Sequence, residues 1–233
     1  MRDTFGQALY GYWKGDHKTP HFIRRDDGFL DEMPTSDYFR TELMPNEKAL
    51  LKFARGKILD VGSGAGRALL YFEKNGFDIC GIDFSPLAVR VCKERGLDAD
   101  VKDIFKMRKT AAYDTILLFG NNIGIGGDLK GAEKLLKKLN TLVNKKGRVL
   151  LMSIDVTKTD NPKHKAYHQL NLKKKKYAGE VKIRVEYKKA IGAYFKWLHL
   201  DPEKLKELAA KTGWKVIHLK VSKDGSYSAV LEN

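Results

Sequence analysis

The sequence predicts a doubly wound α/β sheet preceded by a long N-terminal preface, and three observations predict it. From Lys57 to Asp155 short apolar runs alternate with segments of helical period. The runs are apolar on successive residues rather than every second one, as expected of parallel strands covered on both faces. The first of them, Lys57-Ile58-Leu59-Asp60-Val61, empties into three closely spaced glycines, Gly62, Gly64 and Gly66, and then into a helical stretch at 67–74. That is a strand, a tight turn and a helix start, the opening of a nucleotide-type site in such a sheet.

Each element follows in order. Residues 1–45 mix aromatics (Tyr10, Tyr12, Trp13, Phe22, Phe29, Tyr38, Phe39) with Lys14, Lys18, His21, Arg24 and Arg25. No helical or strand period is sustained there until Asn46, which is placed to cap a helix at 47–55. The preface reads as a packing extension or as a lid over a site, and the two are compatible. Strand 58–61 leads to a helix that stops at Asn75-Gly76. Strand 77–82 ends at Asp83, where Ser85 caps a helix that has Pro86 at its first position. A short strand at 99–101 and a central one at 114–119 follow. The helix at 128–143 puts Leu129, Ala132, Leu135, Leu136, Leu139 and Val143 on one face, and strand 148–155 ends the alternation.

Beyond it, 158–176 is polar and basic, and 180–189 alternates as one limb of a hairpin whose other limb is 192–199. A helix at 201–211 and a hairpin around Asp224-Gly225 finish the chain. The expected domains are an extension or lid at 1–45 and a catalytic domain at 46–233, with a basic insertion at about 158–199.

Composition narrows the setting. The 233 residues suit one full α/β domain with additions, and 42% hydrophobic residues can build its core. A formal net charge of +15 favours polyanionic partners, although abundant lysine also suits a thermophile. Cys80 and Cys92 have no metal-type or disulfide-framework spacing. No apolar run reaches membrane-spanning length, so a cytoplasmic protein without membrane or metal is expected, with a monomer as the working state.

A dinucleotide fingerprint would place glycine where Arg67 stands, and a phosphate-binding P-loop would need Gly-Lys-Ser/Thr. Asp60 followed by Gly62, Ser63, Gly64 and Gly66 instead resembles motif I of the class I S-adenosylmethionine (SAM)-dependent methyltransferases. The resemblance runs over about 57–155 and implies SAM as cofactor, cradled by this turn. It implies that Asp83 accepts the ribose hydroxyls and that Phe84 packs on adenine. It makes Asp103, with Asp100 as runner-up, the partner of the adenine amino group beside Ile104. It places Phe119, Gly120, Asn121 and Asn122 at the exit of the fourth strand, where Asn121 and Asn122 would hold a substrate amino group as the catalytic pair. It also implies a seven-stranded, mostly parallel sheet closed by an antiparallel C-terminal strand.

The acceptor is read from the rest of the chain. Asn121-Asn122-Ile123 lacks the prolines and stacking aromatic usual in methyltransferases of base amino groups, so Tyr12, Trp13 and Tyr38 would supply stacking. Carbon-5 pyrimidine methylation needs a cysteine nucleophile, and neither cysteine lies on the loops after strands four and five. Lys163, Lys165, Lys173, Lys174, Lys175 and Lys176, with Arg24 and Arg25, would hold phosphates, which points to a structured RNA (rRNA or tRNA) methylated on a base amino nitrogen such as that of cytosine. His164 and His168 share a helix face, but no acid completes a metal set. The alternatives are a small-molecule methyltransferase with an N-terminal lid, or a SAM-binding protein that only senses or chaperones RNA.

Overall fold

The computed structural model describes residues 3–233. In chain order it forms α1 (Thr4–Trp13), β1 (His21–Arg25), β2 (Leu30–Met33), α2 (Pro45–Lys48), β3 (Ile58–Val61), α3 (Arg67–Lys74), β4 (Ile79–Asp83), α4 (Pro86–Glu94), β5 (Ala99–Val101) and β6 (Tyr113–Leu118). It continues with α5 (Leu129–Asn140), β7 (Val143–Ile154), α6 (Pro162–Lys173), β8 (Glu180–Tyr187), β9 (Ala190–Ile191), β10 (Phe195–Leu198), α7 (Pro202–Lys211), β11 (Lys215–Val221) and β12 (Ser226–Glu232).

The predicted sheet is present, in the order β11-β12-β7-β6-β3-β4-β5. β3 to β7 pair in parallel, and β12 enters antiparallel between β7 and β11. Both faces are covered, which is why β3 is buried at all four positions. In β6, Ile116 and Leu118 enter the layer of α5 and α7, while Leu117 enters the layer of α3 beside Phe72. Chain order reverses between β3 and β6, so the crevice outside their carboxyl ends is where an α/β sheet receives its ligand.

The preface differs from the expectation. Its residues form a helix and two strands, and Asn46 caps nothing. Asp3 Oδ1 accepts the Gly6 N–H and starts α1, whose Ala8 and Leu9 are buried; Leu9 packs with Ala65, Ala88 and Val91 beside the glycine turn. The expected helix at 47–55 is reduced to the single turn α2 and a 3-10 turn at Leu51–Phe53. Pro45 opens α2, the Glu47 carboxylate accepts the Met44 N–H, and the Asn46 amide donates to Ser226 Oγ instead. The basic stretch after β7 also folds, as α6.

β1, β2 and the inserted hairpin make a second, antiparallel sheet, ordered β10-β8-β1-β2 with β9 on β8. Preface and insertion are thus joined, with Ile23 opposite Val185 and Arg25 opposite Ile183. One face of this sheet meets the rest of the molecule. His21 packs on Tyr38, Tyr187 lies against Gly11 of α1, Trp197 against Gly124, and Arg25 against α6. By the strand register Ile23, Ile183, Val185 and Phe195 share that face.

Candidate active site

The glycine turn hangs from β4, with the Gly62 and Ser63 N–H groups donating to the Ile82 carbonyl at 2.8 and 3.1 Å. All three glycines have positive φ. At Gly66 a Cβ would fall 2.5 Å from a Leu97 methyl, and at Gly62 the same distance from the Asn122 amide nitrogen, so only glycine fits at either place. Asp83 buttresses the turn from the side: its Oδ2 accepts from Gly64 N at 2.9 Å and its Oδ1 from Ser85 N at 2.8 Å. Cys92 Sγ donates to the Gly64 carbonyl and the Arg95 guanidinium to the Ala65 carbonyl.

The electrostatics of the turn call for a cation. Asp60 is buried and its carboxyl has no hydrogen-bond partner among the described residues. Burial pushes it up to about 7; Arg67 opposes the shift, while Glu47 and Asp83 add to it. Arg67 is committed elsewhere, to both oxygens of the fully buried Glu47 at 2.5 and 2.7 Å. Asp83 is likewise raised, by burial first, against the backbone N–H groups it accepts. Ser63 Oγ is buried without a partner. A buried carboxyl and a buried hydroxyl left unmatched at a glycine turn fit a ligand carrying an ammonium and a sulfonium, as SAM does.

The other expected cofactor residues surround this turn. Phe84 is 71% exposed at the rim after Asp83. Asp103 accepts the Phe105 N–H through Oδ1 and is half-buried, with Ile104 buried behind it. Asp100, the runner-up, is exposed and paired with Lys102 and Lys93. Phe119 turns its ring into the core beside Phe72, which leaves its backbone to the crevice. Gly120 has φ +63 and nothing within 4 Å of where a Cβ would stand, so open backbone faces outward there.

The two asparagines are placed otherwise than expected. Asn122 Nδ2 donates to the Val61 and Gly62 carbonyls at 2.7 and 3.0 Å, clamping the glycine turn. Asn121, at φ +66 and 8% exposed, points the opposite way. Its Oδ1 accepts from Ser153 Oγ at 2.6 Å; its Nδ2 donates to the Leu198 carbonyl at 3.3 Å and lies 3.1 Å from His199 Nδ1. An amino group needs an acceptor: Asn121 Oδ1 is already taken by Ser153 Oγ, whereas Asn122 Oδ1 has no partner among the described residues. Ser153 and His199 are residues the sequence reading missed. Ser153 had a signal, its position near the carboxyl end of a central strand; His199 had none.

The expected RNA contacts divide. Tyr38 reaches the crevice, its ring 3.4 Å from where a Gly64 Cβ would stand. Tyr12 and Trp13 stack on Phe39, and Trp13 Nε1 donates to Glu94 at the far end of α4. Arg24 is paired with Glu186. Arg25 is buried against Asp27, the Lys163 carbonyl and the Tyr167 ring. Lys163 lies over Phe29 and Lys165 pairs with Asp160. Lys173, Lys174, Lys175 and Lys176 are exposed at the end of α6 with no ion pair among the described residues. No three His, Cys, Asp or Glu side chains among the described residues converge as a metal set, and no helix is long and apolar enough to cross a membrane.

A methyltransferase-domain family matches residues 37–219, and the chain belongs to that family. The crystal structure of a SAM-dependent methyltransferase from Bacteroides fragilis, in complex with S-adenosyl-L-homocysteine, superposes with a TM-score of 0.85 at 30% identity, covering 98% of this chain and 94% of that one. The protein is a SAM-dependent methyltransferase of class I, and SAM is its cofactor. A 1,6-didemethyltoxoflavin-N1-methyltransferase from Burkholderia thailandensis shares the fold (TM-score 0.55, 14% identity, 98% of this chain and 88% of that one). Among curated proteins, a 23S rRNA (uracil(747)-C(5))-methyltransferase from Pyrococcus abyssi is 33% identical over an alignment 112 residues long that covers 40% of this chain. That match spans only 27% of the relative's length.

Proposed function

We propose that this enzyme methylates a small organic acceptor held between the carboxyl edge of the seven-stranded sheet and the inner face of the second sheet. The observation that carries the reading is the roof. Ile23, Ile183, Phe195 and Trp197 share a face whose two ends are anchored, on Tyr38 at the glycine turn and on Gly124 beyond β6. A mainly nonpolar ceiling, with Arg25 turned to Asp27 and α6, would enclose an acceptor and shed water, which suits methyl transfer, where placement supplies most of the acceleration. SAM supplies an electrophilic methyl when bound. The chain's own part is to balance the cofactor's charge through Asp60, to receive its ribose through Asp83 and to leave the Gly120 backbone open to the acceptor.

An RNA acceptor is the second reading, favoured by the net charge of +15 and the four exposed lysines, Lys173 to Lys176, at the end of α6. The named relative acts on rRNA. Under this reading a base amino nitrogen is the target. Carbon-5 attack is not proposed: burial pushes the Cys92 thiol up to about 12 beneath the glycine turn, and Cys80 faces Tyr113 within the sheet.

Methyl-labelled SAM incubated with the protein and, separately, with deproteinised low-molecular-weight extract or total RNA of the source organism tests the choice. Label in the small-molecule fraction is expected. A labelled nucleoside recovered from RNA, with none in the extract, overturns the proposal in favour of the second reading.

A further inference from the structure

We propose that His199 is the residue that orients the acceptor, donating a hydrogen bond from Nε2 to a carbonyl or carboxylate oxygen beside the atom that is methylated. The inference rests on the SAM-dependent methyl transfer described above and on the acceptor lying over the exit of β6.

The geometry leaves one assignment of protons. The Leu198 carbonyl can only accept, so the Asn121 side-chain atom 3.3 Å from it is the amide nitrogen. The oxygen of that amide then faces Ser153 Oγ, which donates to it at 2.6 Å. The second N–H of Asn121 points at His199 Nδ1, 3.1 Å away, which makes Nδ1 an acceptor and leaves the ring proton on Nε2. Nε2 has no hydrogen-bond partner among the described residues, and His199 is half-buried rather than sealed in the core. Ser153, Asn121 and His199 come from β7, the β6 exit and the β10 exit, so three separate elements agree on one tautomer.

The position is suited to an acceptor. Asn121 and Asn122 are neighbours, and one clamps the glycine turn while the other locks His199. The β6 exit therefore stands between the cofactor turn and the histidine. The groups around the ring are His164 and His168 of α6 and Arg25 of β1, and burial with these neighbours holds it down at about 4, so it is neutral at physiological pH. A neutral imidazole whose only bare nitrogen is occupied by Asn121 takes no proton from the acceptor. It donates one hydrogen bond in a basic neighbourhood, and a carbonyl or carboxylate oxygen is its complement.

Two measurements test this. In protein carrying ¹⁵N-labelled histidine and saturated with S-adenosylhomocysteine, long-range ¹H–¹⁵N spectra should show one ring, identified by its loss in His199→Gln, with a protonated Nε2 and bare Nδ1 at every pH from 5.5 to 8. A protonated Nδ1, or titration between pH 6 and 7, overturns the assignment. In the labelling assay, on whichever fraction the wild type labels, His199→Ala should lose at least tenfold in transfer with S-adenosylhomocysteine affinity within twofold. His199→Gln, whose amide can stand where Nε2 stands, should recover most of that loss with an unchanged pH profile. His199→Ala as active as wild type overturns the role, and so does a Gln variant as poor as Ala that has lost a wild-type ionisation. Label in RNA rather than in small molecules would sink the proposed acceptor class while leaving this comparison to be read on RNA.

Discussion

The two sides of the crevice are built in opposite ways. The cofactor side is local: Asp60, the glycine turn and Asp83 lie within two consecutive strand-to-helix turns, cross-braced by bonds such as Gly64 N to Asp83, 19 positions apart. The roof is assembled at long range, through pairs such as Arg24 with Glu186, 162 positions apart. The cofactor side keeps Ser63 Oγ buried without a partner and an Asp60 carboxyl that Arg67 does not bond; on the roof side Arg25 and Asn121 are bonded to protein, and His21 Nε2 is left without a partner. One side is poised for a charged ligand that is always the same. The other shapes a space, and its residues can change without disturbing the first.

That contrast can be broken or sharpened by experiment. The largest expected effect is at Glu47, which is fully buried and neutralises Arg67 under the glycine turn. Glu47→Ala strands a guanidinium and should cost about 3–5 kcal/mol, read as a fall in denaturant midpoint, with Glu47→Gln costing less. Next, Asp83→Ala removes the acceptor of two backbone N–H groups and the expected ribose contact, so S-adenosylhomocysteine affinity by calorimetry should fall about a hundredfold, roughly 2.7 kcal/mol. Phe195→Ala, on the roof and 40% exposed, should leave that affinity within twofold while lowering methyl transfer several-fold. If both variants lose cofactor affinity alike, the two sides are not independent.

A smaller effect follows from pH. The Asp60 carboxyl stands at about 7 in the free protein, above its ordinary value, and the ammonium of the ligand favours its ionised form. Protonation therefore competes with binding below 7, and affinity for S-adenosylhomocysteine should be roughly tenfold weaker at pH 6 than at pH 8, a slope that Asp60→Asn abolishes. For the free protein the sign reverses: a raised carboxyl costs stability as pH climbs from the ordinary carboxylate range through 7. The smallest effect is expected from replacing Lys173, Lys174, Lys175 and Lys176 together by serine. Stability should move by no more than about 0.5 kcal/mol, and transfer to a small acceptor should not change. Loss of transfer to RNA, strongest at low salt, would move the weight to the RNA reading.

What could be read from the sequence follows the same division. The turn at Gly62 to Gly66 and the acid at Asp83 were legible because each is a short run whose spacing alone defines its geometry. The β6 exit was legible as a location, but the protein partners of Asn121 and Asn122 were not. Which way an amide turns depends on Leu198, Ser153 and Val61, and no local pattern carries that. The second sheet was hidden because β1 has only five residues and finds its partner in β8. Some signals were present. Asp3 stands before Phe5, Ala8, Leu9 and Tyr12 at helical spacing, and Asp27-Gly28 marks the turn between β1 and β2. They were masked by the aromatics and cations interleaved with them.

The pairing of β1 with β8 also sets a schedule for synthesis. A ribosome adds roughly 5–20 residues per second, so about 8–30 s separate the emergence of Arg24 from that of Glu186, its partner 162 positions later. During that interval the first hairpin has an open edge and nothing to dock against but the nascent sheet. The charges it carries, Arg24 and Arg25 with Asp26, Asp27, Asp31 and Glu32, discourage it from adding to a neighbouring chain while it waits. The last large piece of the crevice to be completed is thus one whose first strand is made before any strand of the seven-stranded sheet.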